Sequence, residues 1–237
     1  VRFTQYRPEW AKDPGSSDNS NQEDNGYTIN NIYYFKYEPL KWQVLDPKTG
    51  LVLSKSIIDS QAYSNTIYEG TDAYGYFTFW NNALNTNYAN DYATSSIRKW
   101  LKEDFYNTAF TSTQKQNILP TTLDNSAYST DYSEYDSVST TDNIFLLSYS
   151  EAQNASYGFT DSEARKAVGT DYAKAQGLDV FSNGCSFWRL RSADNYYSNV
   201  RGVRDDGDLN LGCGVNGTYF GIRPCLLYTS DAADERS

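Results

Sequence analysis

Few residues in this chain are suited to covalent chemistry. None of its 237 residues is His, so neither a Cys/His zinc site nor a His-based acid–base relay can be built. Cys185, Cys213 and Cys225 are odd in number and irregularly spaced, which gives no disulfide framework. A nucleophilic thiol needs a neighbouring base, so Cys185, beside a strand, is expected to be a small semi-buried residue. Asp205, Asp206, Asp208 and Asn210 are spaced like part of a calcium loop, but the closing Glu is missing and a turn of solvated acids is expected. The "GCGVNG" run at 212–217 lacks the Lys-Ser/Thr of a phosphate loop, and no spacing singles out a glycosidase-type acid pair. Arg189, Arg191 and Arg223 leave two uses open: a bidentate clamp on an anionic ligand, or pairing with local Asp residues.

Composition narrows the partners. A net charge of −10 with no Lys/Arg-rich run argues against nucleic acid and against an anionic membrane surface. No apolar run approaches the roughly 18 residues of a membrane span, so no direct membrane insertion is expected. At 39% the hydrophobic content is low for this length, but 22 Tyr offset it and point to a folded, Tyr-rich recognition module. The chain starts at Val1 rather than Met, so it is expected to be a fragment or a processed product.

The elements that must position these residues follow from periodicity. Residues 11–26 are polar and aperiodic and predict a loop or disordered insertion, within a partly disordered segment over 1–30. Strands are expected over 32–37, 40–46 and 51–54. In the second of these, Leu40, Trp42 and Val44 alternate with polar residues, and "DPKTG" turns the chain. Residues 60–92, rich in Tyr, Asn and Thr, read as a long ordered loop. A helix capped by Thr94 or Ser95 places Ile97, Trp100, Leu101 and Phe105 on one face, and a shorter one over 112–118 stops at Pro120. "DNIFLLS" (142–148) predicts a buried strand running into a capping box at Ser148 and Glu151. Thr160 and Glu163 repeat that spacing, and Gly177 supplies a helix stop. Strands over 187–192 and 221–228 complete a single α+β domain over 31–228.

In order, "YEPLKWQVLD", "GLVLSKSIIDSQAY", "SSIRKWLKEDFYNTAFT", "DNIFLLSYSEAQN", "FWRLRS" and "GIRP" resemble a bacterial domain family of unknown function. Its members look like the C-type lectin fold, in the branch shared with formylglycine-generating enzymes. The resemblance spans about residues 30–224 and implies small antiparallel sheets with flanking helices. Some proteins of that broad fold are similar to the targets of diversity-generating retroelements, in which adenines of a C-terminal repeat are rewritten. Asn codons then become codons for Tyr, Ser, Asp, Gly, Cys, Arg, Leu or Phe, but never for Lys, Glu, Gln, Met or Trp.

Residues 193–221 contain none of those five types, whereas Lys, Glu, Gln and Trp recur elsewhere. Under this resemblance Val200, Val203, Gly207, Leu209 and Val215 are fixed anchors. The varied, ligand-binding positions are Asp194, Asn195, Tyr196, Tyr197, Asn199, Gly202 and Arg204, continuing through Asp208, Leu211, Gly212, Cys213, Asn216, Tyr219 and Phe220. They are expected to face outward, with Cys213 exposed beside Leu211 and Phe220. Tyr, Ser, Gly and Asn are also the vocabulary of antibody paratopes.

The resemblance has departures. "EPL" (38–40) and "WNN" (80–82) stand in place of the triplets of calcium-dependent lectins, and the cysteine pair of the formylglycine-generating enzymes is unmatched. Neither a metal, a cofactor nor an enzymatic activity is therefore expected. The implied function is recognition of a protein or cell-surface ligand, with display on a cell or virion. The rivals are a fixed-sequence adhesion or glycan-binding module and a divergent carboxylate enzyme. Finally, "CLLYTSDAADE" (225–235) resembles a translated sequencing adapter. That implies a native end near Pro224, an artefactual tail over 229–237, and apolar residues Leu226, Leu227 and Tyr228 still able to fill a last strand.

Overall fold

The turn "DPKTG" is built by one carboxylate. Asp46 accepts hydrogen bonds from the Lys48 amide (2.9 Å) and the Thr49 hydroxyl (2.8 Å), and Gly50 takes the positive φ (76°) that lets the chain reverse. The computed structural model that shows this describes residues 2–6, 20–28 and 31–229. In chain order it begins with β1 (Arg2–Tyr6), α1 (Ser20–Asp24) and β2 (Tyr33–Tyr37), the two strands pairing antiparallel. The hairpin of β3 (Trp42–Asp46) and β4 (Leu51–Ser54) follows, then the short β5 (Asp59–Ser60) and a second hairpin, β6 (Tyr68–Thr71) and β7 (Phe77–Trp80). Helix α2 (Ser96–Trp100), capped by Ser95, runs through a π turn (Leu101–Phe105) into α3 (Tyr106–Ala109).

Beyond α4 (Ser112–Gln116) lie β8 (Ile118–Leu119), β9 (Thr121–Leu123) and β10 (Thr140–Asp142). Helices α5 (Tyr149–Ala152) and α6 (Asp171–Ala175) precede β11 (Trp188–Ala193), β12 (Asn199–Val203) and β13 (Leu211–Gly214). The short β14 (Gly221–Ile222) and β15 (Cys225–Tyr228) complete the elements. The architecture is mixed α+β, with several small sheets that are antiparallel except where β11 meets β14. The two larger sheets run β13-β12-β11-β14-β5 and β3-β4-β15-β8.

These two sheets are joined by a double crossing. The segment from β4 to β5 and the segment from β14 to β15 pass between the sheets side by side. The Ser54 amide donates to the Pro224 carbonyl (2.8 Å) and the Ile58 amide to Ile222 (3.0 Å). Arg223 clamps the crossing: Nε and Nη2 donate to the Ser54 carbonyl at 3.1 and 3.0 Å, and the guanidinium lies 4.6 Å from the Trp188 ring centre. Around the crossing pack the fully buried Leu53, Ile57, Trp188 and Ile222.

Several expectations need correction. Residues 11–19 lie outside the described residues, but 20–24 form α1 rather than a loop. The Gln22 side chain there is buried and donates to the Ala175 carbonyl (3.1 Å). The alternation of Leu40, Trp42 and Val44 breaks at an irregularity between Val44 and Asp46, so Val44 is 59% exposed and Leu45 is buried. "DNIFLLS" is buried but is not a strand: Phe145 bridges Cys225, and the strand lies earlier, at β10. The capping box at Ser148 and Glu151 forms, whereas Thr160 and Glu163 make none. Residues 60–92 hold the β6–β7 hairpin. Of the expected tail, Thr229 donates its amide to Asn117 (3.0 Å), and 230–237 lie outside the described residues.

Among the described residues no helix is long and apolar enough to cross a membrane.

Two predictions follow from this packing. Because β15 lies between β4 and β8, truncation after Pro224 should abolish cooperative unfolding, and Leu226→Ala should cost about 2–5 kcal/mol in a denaturant titration. Asp59 has no cation beside it among the described residues, and burial raises its carboxyl to about 7. The folded state therefore holds a proton that the unfolded state releases near pH 4, so this residue's contribution falls as pH rises from about 4 to 7. Asp59→Asn should remove that slope and raise the unfolding midpoint at pH 8, by up to about 4 kcal/mol in stability.

Candidate functional site

The candidate binding positions lie on and around the antiparallel strands β11, β12 and β13. Asn199 pairs with Gly214, Val200 with Cys213, Arg201 with Gly212 and Gly202 with Leu211. The expected anchors Val200, Val203, Gly207, Leu209 and Val215 are all buried. Gly207 turns the chain between β12 and β13 at φ 83°, where a Cβ would lie 1.7 Å from the Ser162 carbonyl oxygen.

The candidate positions divide by burial. Asn195, Tyr196, Arg204, Asp208 and Gly212 are exposed, while Tyr197, Asn199, Leu211, Asn216 and Tyr219 are half-buried. Asp194, Gly202, Cys213 and Phe220 are buried, contrary to the outward-facing arrangement expected for them. Cys213 packs into the core opposite Val200, and burial pushes its thiol up to about 12. At Gly202 a Cβ would lie 2.3 Å from the Cys213 sulfur, so these two positions constrain each other. Phe220 is held against Tyr219 (4.4 Å between ring centres) and under the Arg189 guanidinium (4.5 Å). Gly212 is exposed, yet a Cβ there would approach the Asp194 carboxylate at 2.6 Å.

Buried arginines hold this sheet. Arg201 Nη1 meets Asp194 Oδ1 at 3.2 Å and its Nη2 donates to the Leu209 carbonyl at 2.6 Å. The guanidinium sits 4.5 Å from the Tyr128 ring centre and 5.0 Å from that of Tyr149. Arg189 donates to the carbonyls of Gly214 (2.8 Å) and Gly217 (2.5 Å). Arg191 pairs with Glu151, Nη1 to Oε2 at 2.5 Å and Nη2 to Oε1 at 2.9 Å. So Arg189, Arg191 and Arg223 are buried and donate to internal carbonyls, away from the surface where a bidentate clamp on an anion would stand, and Arg191 also pairs with an acid, Glu151.

The exposed positions gather at two ends of the sheet. At one end, the loop from Asn195 to Asn199 is tied down by Asn90, whose side chain donates to the carbonyls of Tyr196 (2.9 Å) and Asn199 (3.2 Å). Tyr196 stacks on Tyr197 (4.7 Å), and Tyr197 meets Phe79 (5.7 Å) and Phe77 (6.5 Å) of the β6–β7 hairpin edge-on. The hairpin tip carries Tyr74 and Tyr76, 84% and 72% exposed, with both amides donating to Asp72 Oδ1. The other end holds Arg204, over the Phe187 ring at 5.9 Å, with Asp208 and Tyr219. Position 199 to position 203 along β12 spans roughly 13 Å, so these are separate patches.

The hairpin aromatics were missed by the sequence reasoning. Their signal was the density of Tyr in 60–92 and the short "FTFW" alternation at 77–80, without the aliphatic residues that mark most strands. Asp205, Asp206 and Asp208 form a turn, and no group of three or more Cys, Asp or Glu able to hold a metal occurs among the described residues.

Burial sets the expected tolerance. Cys213→Tyr should overpack the core and lower stability by more than about 2 kcal/mol, whereas Tyr196→Ser should stay within about 0.5 kcal/mol by denaturant titration. Cys213 and Cys225, both fully buried, should react with a thiol reagent only after unfolding.

No match was found among curated proteins or solved structures. One family does match, over residues 47–229, and it is described as a domain of unknown function (DUF6273). That span takes in every strand from β4 to β15 and both patches, and the chain belongs to this family.

Proposed function

We propose that the chain is a non-enzymatic recognition module of C-type-lectin type that meets a protein or cell-surface ligand through the aromatic patch beside the Asn195–Asn199 loop. The observation that carries this reading is exposed Phe77 and exposed Tyr196 meeting through Tyr197, with exposed Tyr74 and Tyr76 at the tip of the same hairpin. Large aromatic side chains exposed close together on a polar, acidic chain favour an interaction surface. Tyr supplies contact area at low entropic cost, and a loop fixed by Asn90 has little conformational freedom left to lose on binding.

Diversification by a retroelement is part of the proposal for the exposed and half-buried positions only. Asn195, Tyr196, Tyr197, Asn199, Arg204 and Asp208 can change without disturbing the arginine staples. The burial of Asp194, Gly202, Cys213 and Phe220 favours a second reading, a fixed-sequence adhesion or glycan-binding module, because sampling at those positions would cost the scaffold.

Amplicons of this gene from one population separate the two. Diversification predicts differences clustered at the exposed positions, with Gly202 and Cys213 constant; uniform sequences there would sink it. Recognition through the aromatic patch predicts that a Tyr74→Ser, Tyr76→Ser, Tyr196→Ser variant keeps its melting temperature but no longer labels cell-surface preparations that the parent labels. Equal labelling by both would remove the patch from the interface.

A further inference from the structure

A concavity whose lining shares none of the patch's aromatic residues lies between the β9–β10 ribbon and α5. Its volume is about 390 Å³, within the roughly 300–1,000 Å³ of small-ligand sites. Leu51, Leu123 and Phe145 supply apolar lining, Tyr149 and Tyr157 are half-buried beside it, and Asp124 and Ser126 are exposed among its lining residues.

The charges in the cavity decide what it can hold. Arg191 is the cation in the lining, and its donors are committed. Nε donates to the Asp124 carbonyl, Nη1 to Leu146 and Glu151, and Nη2 to Asp124 and Glu151. Glu151 is committed in turn, since Oε2 also accepts the Ser148 amide at 2.7 Å. An anionic ligand would thus find no free cation. Asp124 differs: Oδ1 accepts from the Ser126 amide (3.0 Å) and hydroxyl (2.5 Å), while Oδ2 meets no donor among the described residues. These bonds from Ser126 hold its carboxyl below the usual range, so it stays ionised as an acceptor.

The remaining polar lining is hydroxyl-rich: Thr49, Thr121, Thr122, Ser150 and Tyr157 each can donate or accept. Tyr149 is held in place, edge-on to Tyr128 at 5.4 Å and beside Arg201 at 5.0 Å. One free carboxylate oxygen, several hydroxyls and a fixed aromatic ring match a ligand that is not an anion, carries many hydroxyls and has one apolar face.

We propose that this cavity is a binding site for a neutral saccharide of one or two pyranose rings, with Asp124 Oδ2 accepting from adjacent sugar hydroxyls and the tyrosine rings covering the C–H face. No metal takes part, and the site is independent of the aromatic patch.

The test titrates the full chain with glucose, galactose, mannose, N-acetylglucosamine and their β-linked disaccharides, read by amide chemical shifts. The proposal predicts saturable shifts confined to residues 121–128 and 148–151 for at least one of them. Asp124→Asn keeps the Oδ1 contacts to Ser126 but removes the charge, and should weaken binding about tenfold; Tyr196→Ser should leave it unchanged. No saturable shift up to ~10 mM, shifts centred on 195–199 instead, or binding of choline or lysine without any sugar would each overturn the proposal. The wild-type shift map decides the matter even where a variant fails to fold.

Discussion

The structure depends on one crossing clamped by one cation. Two segments, Ser54–Ile58 and Ile222–Cys225, leave one sheet and enter the other together, and Arg223 is buried at their meeting point. Burial lowers its pKa to about 10, still far above neutrality, so it remains charged. Among the described residues no carboxylate faces it. Its charge is spread instead over the Ser54 and Lys55 carbonyls and the face of Trp188. A buried cation is tolerable only where such partners are fixed in place, so the crossing cannot loosen locally without exposing an unsolvated charge. The aliphatic core residues around it are conventional by comparison.

The same device recurs where the candidate site is built. Arg189, Arg191 and Arg201 each combine backbone carbonyl acceptors with an aromatic face, and Arg191 and Arg201 add an acid, Glu151 and Asp194. Loops such as Ala193–Asn199 and Gly214–Phe220 contain little aliphatic material, and side-chain donors replace the missing core. This explains how a chain with modest hydrophobic content supports a Tyr- and Asn-rich surface. It also means that the interior of the candidate region is polar and specific, and less permissive than a greasy core would be.

Local signals were legible in the sequence where a short motif decides the outcome. Ser95 and Ser148 with Glu151 cap their helices, the "DPKTG" turn forms, and Gly177 ends α6 at a positive φ (102°). Long-range pairing was not legible. Nothing local distinguishes Asp194, which accepts from Arg201, from Asp208, which faces water, because both sit in the same polar stretch. Cys213 was misplaced for the same reason: its neighbours Leu211 and Gly212 alternate toward half-exposed and exposed surroundings, and only the pairing with Val200 puts it inside. The β6–β7 hairpin escaped because its strands are built from Tyr, Phe, Thr and Trp around a Gly, with no aliphatic alternation.

The place of β15 has a temporal consequence. It is the last strand in chain order among the described residues, yet it sits inside its sheet with β4 on one side and β8 on the other. During synthesis β4 and β8 emerge more than a hundred residues before the strand that joins them (β15 begins at Cys225). Until then both edges stay open and the crossing has only one of its two segments. The sheet therefore closes in one late, long-range step, the regime in which folding is slow and unpaired strand edges invite association with other chains.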